Sequence, residues 1–319
     1  MSDPRIPQRL LDLAKQAQAP RELSGQALRE RSGELVDVEI QAGQVWRARW
    51  EDISVLVLIL AIEGRDVRAA PVTIDPPADD DHSLVLEGQS TAFGVDTTVW
   101  AGLAGTVPIR VLERPVDACS DEVIQWTRSA SEGRPGDVPA GARQGHLISS
   151  ELDPAALARA EIADDLEALR QAPGLPAAAP GQQPRGLASL LGTQLDLASL
   201  CTALDLPQPE VMKILRGKAP LTAGQIEMIA RVTGLTAERV AASVRPLPLG
   251  LVVRMEHPRW RHTWQERART YRVSESEARL AGSYGAYSLA ARQTGGGEPD
   301  WDERLRRFLR DEDMGPGGA

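Results

Sequence analysis

The stretch PQPEVMKILRGK, residues 207–218, joins side chains that can hydrogen-bond to bases with side chains that can neutralise phosphates. Wound as a helix at about 100° per residue, it sets Val211, Ile214 and Leu215 on one side and Pro209, Met212, Lys213 and Arg216 on the other. The Gln208 amide offers the donor and acceptor that match adenine, while Lys213 and Arg216 suit guanine or phosphate. Lys218 follows at a position suited to phosphate, and Glu210 lies at the flank, where it repels phosphate or accepts from cytosine. Duplex DNA is the ligand that this pattern fits. The alternative for the same face is contact with protein alone.

Other residue types with chemical potential lack the partners that chemistry needs. His257 and His262 stand five apart near Trp260 and Trp264, without an HExxH pattern or a carboxylate partner, so helix-end or packing roles are expected and no metal site. Arg254, Arg259, Arg261 and Arg267 alternate with those tryptophans; they are expected to lay their stems over a packed core rather than to hold phosphate. The run Asp79-Asp80-Asp81 before His82 reads as a solvated acidic loop. Cys119 and Cys201 are the only cysteines, which excludes a disulfide scaffold and favours a reducing compartment. No GxSxG, P-loop or GxGxxG motif is present. No catalytic residue, metal or cofactor is therefore expected.

These side chains must be held by a chain of 319 residues, long enough for about two domains. Hydrophobic residues make up 42% and charged residues 25%, values of a globular protein rather than a disordered one. The longest apolar run, Val55 to Ile62, is far below the ~18 residues of a membrane helix, and the N-terminus has no signal-like segment, so a cytoplasmic protein is expected. The net charge of -9 is uneven: residues 1–184 hold 17 basic and 29 acidic side chains, whereas residues 185–261 hold 10 and 6. A polyanion would thus meet the second segment.

Periodicity divides the chain. Residues 1–35 have helical spacing, with Ile6, Leu10, Leu13 and Ala17 on one face. From Val36 the pattern alternates as strands, and SVLVLILAI has the composition of a central strand buried on both faces. About six short strands in some 80 residues suggest a small barrel, closed by a helix from Asp121 to Arg128. Gly/Pro-rich linkers at 131–145 and 172–186 flank a helix at about 154–171 with apolar Leu157, Ile162, Leu166 and Leu169. Beyond 187 the spacing is helical throughout. Thr222 and Thr236 are expected N-caps, Gly217 and Gly234 expected stops, and Ser274 with Glu277 an expected capping box. In WDERLRRFL, Trp301, Leu305, Phe308 and Leu309 share one face, that of a docking or dimerisation helix.

LASLCTALDLPQPEVMKILRGKAPLTAGQIEMIARVTGL resembles the Cro/C1-type (XRE) helix-turn-helix family over about 60 residues. Leu200, Leu204, Leu206, Val211 and Ile214 stand where that family keeps its core, and Arg216-Gly217-Lys218, Leu221, Ile229 and Leu235 match its continuation. Asp205 replaces the turn glycine, and Asp is among the residues that tolerate a left-handed backbone. The resemblance implies sequence-specific binding of double-stranded DNA by a homodimer, with Gln208, Pro209, Met212, Lys213, Arg216 and Lys218 at the interface. The N-terminal half resembles the MazF/PemK-like SH3-like barrel of RNA-cleaving toxins, through Gly43-Gln44-Val45-Trp46, Val55–Leu60 and Pro71-Val72-Thr73. Where active members carry an arginine and a proline, this chain has Asp52-Ile53-Ser54, leaving Thr73 and Arg110, with Arg47 and Arg49 on a nearby strand face.

The expected fold is α+β. N-terminal helices (1–35) precede a small SH3-like β-barrel (36–130), a linker with one helix (131–186), an XRE-like helix-turn-helix domain (187–245), C-terminal helices (246–310) and a disordered tail (311–319). The expected function is a bacterial DNA-binding transcriptional regulator with a non-catalytic barrel, and a protein partner at the barrel or the C-terminal helices. The alternatives are a toxin–antitoxin or phage-defence component, including a ribonuclease barrel, and a protein-interaction adaptor.

Overall fold

A computed structural model describes residues 38–74, 78–148, 150, 153–178, 187–192, 196–217, 219–244, 246–290 and 300–313. The helices expected over 1–35 lie outside the described residues. The chain forms two compact units, Met1–Ala172 and Pro173–Ala319. It is mixed α+β.

The first unit is built on eight antiparallel strands: β1 (Gln44–Trp50), β2 (Ile53–Glu63), β3 (Asp66–Thr73), β4 (Ser83–Leu86), β5 (Thr97–Trp100), β6 (Gly105–Pro108), β7 (Leu112–Ala118) and β8 (Ala142–Gln144). Their order is β7-β1-β2-β3-β5-β4-β8, with β6 also on β3. The expected closed barrel is instead an open path ending at β7 and β8. The far edge of β3 is divided: Asp66–Ala69 pair with β6, and Val72–Thr73 pair with β5.

The middle of β2 is apolar and buried, Val57 to Leu60, because both faces of the sheet are covered there. Val57 and Ile59 point to one core, shared with Trp46, Ala48, Val67 and Trp100. Leu58 and Leu60 point to the other, shared with Val45, Val72, Leu84 and Val99. Helix α1 (Asp121–Ser131) covers the second face with Val123, Ile124 and Trp126. Helix α2 (Pro154–Arg170), expected within a linker, covers the first with Ile162, Leu166 and Leu169. Asp153 caps it by accepting from the Ala155 amide at 3.0 Å, and Pro154 opens its first turn, where the missing N–H is not needed. Leu157, expected on the apolar face of α2, is exposed.

In the second unit, α3 (Leu187–Leu191), α4 (Leu197–Leu204), α5 (Gln208–Leu215), α6 (Ala223–Thr233) and α7 (Ala237–Ala241) enclose Leu187, Leu200, Val211, Ile214, Leu215, Ile229 and Val240. The expected caps are formed. Thr222 and Gln225 make a reciprocal capping box at 3.2 and 3.0 Å, Gly234 ends α6 at φ 70°, and the Thr236 hydroxyl accepts from the Arg239 amide. Each such cap stabilises its helix by about 1 kcal/mol.

Helices α8 (Leu249–Met255), α9 (Arg261–Tyr271), α10 (Glu275–Ala290) and α11 (Trp301–Asp313) form a second core around Leu251, Met255, Trp264, Tyr284, Leu305 and Phe308. Ser274 and Glu277 form the expected capping box of α10. The segment before residue 179, expected as linker, is pinned to this core. Leu175 is buried and its amide donates to Glu256 Oε1 at 2.8 Å, while Leu247 exchanges backbone bonds with Pro176 and Ala178. The apolar face of α11 is covered within the unit: Trp301, Leu305, Phe308 and Leu309 are all buried. The expected dimerisation face is thus a core face. Helix α11 continues to Asp313, past the expected start of the tail at 311; residues 314–319 lie outside the described residues.

Candidate nucleic-acid interface

Helices α4 and α5 are joined by three residues, Asp205, Leu206 and Pro207. Asp205 ends α4 in the left-handed region at φ 51°, ψ 43°, a conformation that Asp adopts at lower cost than most side chains. Pro207 is the N-cap of α5, and its carbonyl accepts from the Glu210 and Val211 amides at 2.9 and 3.2 Å. Val211, Ile214 and Leu215 then anchor one face of α5 in the core.

The opposite face is open. Gln208, Pro209 and Lys213 are exposed, and so is Arg216, which stands just past the last turn at the C-cap. Met212 departs from the expectation: it is half-buried and packs against the core, so it contributes shape more than reach. Glu210 is not idle at the flank. Its Oε1 accepts from Lys213 Nζ at 2.6 Å. Lys218 lies outside the described residues. Gln208, Lys213 and Arg216 together give one amide and two cations within about two turns of helix, able to hydrogen-bond to base edges and to neutralise phosphate.

In the first unit, the side chains nearest to ribonuclease chemistry are engaged in holding the fold. Thr73 Oγ1 accepts from the buried Trp100 Nε1 at 3.0 Å. Arg110 donates through Nε and Nη2 to the Ala172 carbonyl at 2.9 and 2.6 Å, tying the sheet to the end of α2. Arg47 Nε meets Glu113 Oε2 at 2.5 Å across β1 and β7. Arg49 is exposed and reaches the Glu51 carbonyl. These arginines take separate partners instead of converging on one pocket.

The acidic run is not a solvated loop. Asp79 and Asp80 are only 2% and 1% exposed. Asp79 accepts from the His146 amide at 2.9 Å and from its Nδ1, and pairs with Arg143 at 3.1 Å. Burial raises the Asp79 pKa, but these bonds from His146 and Arg143 outweigh it and hold the carboxyl below its usual range. Asp80 pairs with Arg159 of α2 and accepts from the Ser83 hydroxyl and the His82 amide. The cluster fastens β8 and α2 to the start of β4. Its partners lie 64 to 79 residues along the chain, beyond the reach of local pattern.

His257 and Cys119 are held within the fold. His257 is the N-cap of a 3₁₀ turn, its Nδ1 accepting from the Arg259 amide. Burial, with Arg259 and Arg254 adding to it, holds its pKa down to about 4. Burial also pushes the Cys119 thiol up to about 12, Asp117 adding to the effect, which suppresses the thiolate. Among the described residues no group of three or more His, Cys, Asp or Glu could hold a metal ion, and no helix is long and apolar enough to cross a membrane.

Of the arginines singled out among the tryptophans, Arg261 is buried against Glu275, and Arg254 and Arg259 face Asp302. Trp264 is fully buried and donates to the Met255 carbonyl at 3.1 Å. The packing expectation holds for Arg259, Arg261 and Trp264, whereas Arg254 is exposed. Arg267 lies over the Trp264 and Phe308 rings, 5.7 and 5.1 Å from their centroids, as a packing arginine should; the cleft beside it was missed. Arg267 and Arg269 of α9 with Arg306 and Arg310 of α11 line an open cleft of about 950 Å³, together with Trp260, Thr263, Glu266, Thr270, Tyr271 and Leu309. Its sequence signal was the i, i+4 pair Arg306 and Arg310 on the polar side of α11. Compared with models of known protein families and with curated proteins, the chain matches none.

Proposed function

We propose that residues 187–244 act as a Cro/C1-type helix-turn-helix domain and that α5 reads duplex DNA in the major groove, making the chain a sequence-specific DNA-binding regulator. The observation that carries the reading is that Gln208, Lys213 and Arg216 are exposed while Val211, Ile214 and Leu215 are buried, on a helix that follows a three-residue turn. A short helix held by three core side chains on one face is rigid enough to present base contacts in fixed register. One reading helix covers half of a two-fold site, so a dimer belongs to the proposal. With the apolar face of α11 buried within the unit, pairing falls to another surface.

The sheet unit serves, on this reading, as a non-catalytic partner- or ligand-binding part. Cleavage of RNA needs a base for the 2′-hydroxyl and a cation for the phosphate. The engagement of Thr73 by Trp100, of Arg110 by Ala172 and of Arg47 by Glu113 supports the silent reading.

The test is enrichment of genomic fragments by the full chain. Recovery of one preferred sequence supports the proposal, and recovery of none leaves a protein-contact role for α5.

A further inference from the structure

The cleft between α9 and α11 is rich in arginine. Four arginines and one acid, Glu266, line it. Arg269, Arg306 and Arg310 are exposed, and among the described residues neither Arg269 nor Arg306 is held in an ion pair. Glu266 faces the exposed His262 at 3.6 Å. Tyr271 stands at the C-terminal end of α9 with 65% of its surface exposed, which is unusual for a large aromatic ring. Thr263 and Thr270 add hydroxyls on the same helix face. The cleft floor is fixed: Trp264 is fully buried beneath α9, and Leu309 and Phe308 are buried beneath α11.

We propose that this cleft binds a single-stranded segment of nucleic acid, with its phosphates against Arg269, Arg306 and Arg310 and a base stacked on Tyr271. Cations beside an exposed aromatic ring are the pairing that single strands require, since each nucleotide offers one phosphate and one open π-face. A duplex keeps its bases stacked and has no use for the Tyr271 ring. Arg306 and Arg310 stand one turn apart, about 6 Å along the axis, a spread that serves successive phosphates better than one small anion. The site is separate from α5, and its occupancy does not depend on α5 reading DNA.

The experiment uses the full chain and a labelled oligothymidylate of roughly 15 nucleotides, within the usual span of such sites, titrated by fluorescence anisotropy at two salt concentrations. Arg269→Ala/Arg306→Ala/Arg310→Ala is expected to weaken binding at least tenfold and to flatten the salt dependence by about two units, at ~0.7 per phosphate contact. Tyr271→Ala is expected to lose fivefold or more, while Tyr271→Phe keeps the affinity because the ring remains. The triple Arg→Lys variant keeps the charge and most of the binding, which separates lost contacts from lost folding. Lys213→Ala/Arg216→Ala is expected to leave single-strand affinity unchanged. Unchanged binding in the triple alanine variant would overturn the proposal. So would loss of binding in the α5 variant, which would place the strand on α5, or complete displacement by millimolar inorganic phosphate, which would mark a point-anion site.

Discussion

Lys213 and Glu210 pair across one turn of α5, Nζ to Oε1 at 2.6 Å, with both side chains open to solvent. Helix α5 thus holds one of its cations against an internal carboxylate. The pair is exposed, so it adds at most a few tenths of a kcal/mol to stability. Its larger effect falls on ligand binding, since a phosphate or base acceptor must compete with Glu210 for the ammonium.

Glu210→Gln is therefore expected to raise DNA affinity several-fold while shifting the thermal midpoint by no more than a degree or two. Anisotropy titration with a duplex and a thermal melt of the same sample check both halves. Weaker binding would show that Glu210 accepts from a base, most directly a cytosine amino group.

The pairing of α2 with the sheet sets where the first unit ends. A fragment of residues 36–130 lacks Ile162, Leu166 and Leu169 over Trp46, Val57 and Ile59, and lacks β8 on β4. It is expected to aggregate, whereas residues 36–172 stay monodisperse in gel filtration. Cells expressing residues 36–172 should show no new cleaved RNA ends. Arg110→Ala should cost about 1–3 kcal/mol of stability through the lost bonds to Ala172. Growth arrest with sequence-specific cuts, relieved by Arg110→Ala, would contradict the silent reading.

Two glycines of α10 set the packing of the C-terminal helices. A Cβ on Gly282 would lie 2.6 Å from Trp264 Cζ3, and one on Gly285 2.7 Å from Phe308 Cε2. Alanine is the better helix former by up to about 1 kcal/mol, yet overpacking a fixed ring costs about 1–3 kcal/mol. Gly282→Ala and Gly285→Ala are each expected to be net destabilising in denaturant titration. A stabilised variant would mean that the rings yield.

The pH response of the second unit follows from His257. Its folded pKa, about 4, lies below the unfolded value of about 6.5. Between those values the unfolded chain binds more protons, so stability rises with pH there. It is complete above about 6.5 and falls as pH drops toward 4, by on the order of 3 kcal/mol. His257→Asn keeps an acceptor for the Arg259 amide and should flatten this slope. Hydrogen exchange of peptides from residues 246–290 at pH 4.5 and 7 distinguishes the two proteins, and equal slopes would contradict the assignment.

Much of the local structure was legible because it depends on neighbours in sequence. Thr222 with Gln225, Ser274 with Glu277, Gly234 and Asp205 announce helix ends by chemistry that acts over three or four residues. The unbroken apolar run of β2 announces two covered faces. What was not legible depends on distant partners. Nothing near Asp79 and Asp80 in sequence foretells Arg143, His146 and Arg159, so an acidic run that looks solvated is a buried clasp. The face of α11 looks available until α10 and α8 are folded over it. Most of the α5 face was legible for the reason that it needs no distant partner: three core residues fix the helix and leave Gln208, Pro209 and Lys213 exposed, while Met212 turns toward the core.

The most direct measurement is the affinity of the full chain, at physiological salt, for the sequence enriched from genomic fragments, set beside a scrambled duplex and beside Lys213→Ala/Arg216→Ala. The account predicts a Kd on the order of 10⁻⁸ M or tighter for the enriched site, at least ~10³-fold weaker binding to the scrambled duplex, and a tenfold or greater loss in the double variant with the salt slope lowered by about two. Equal affinity for both duplexes, or an unchanged affinity in the double variant, would contradict the claim that α5 reads DNA.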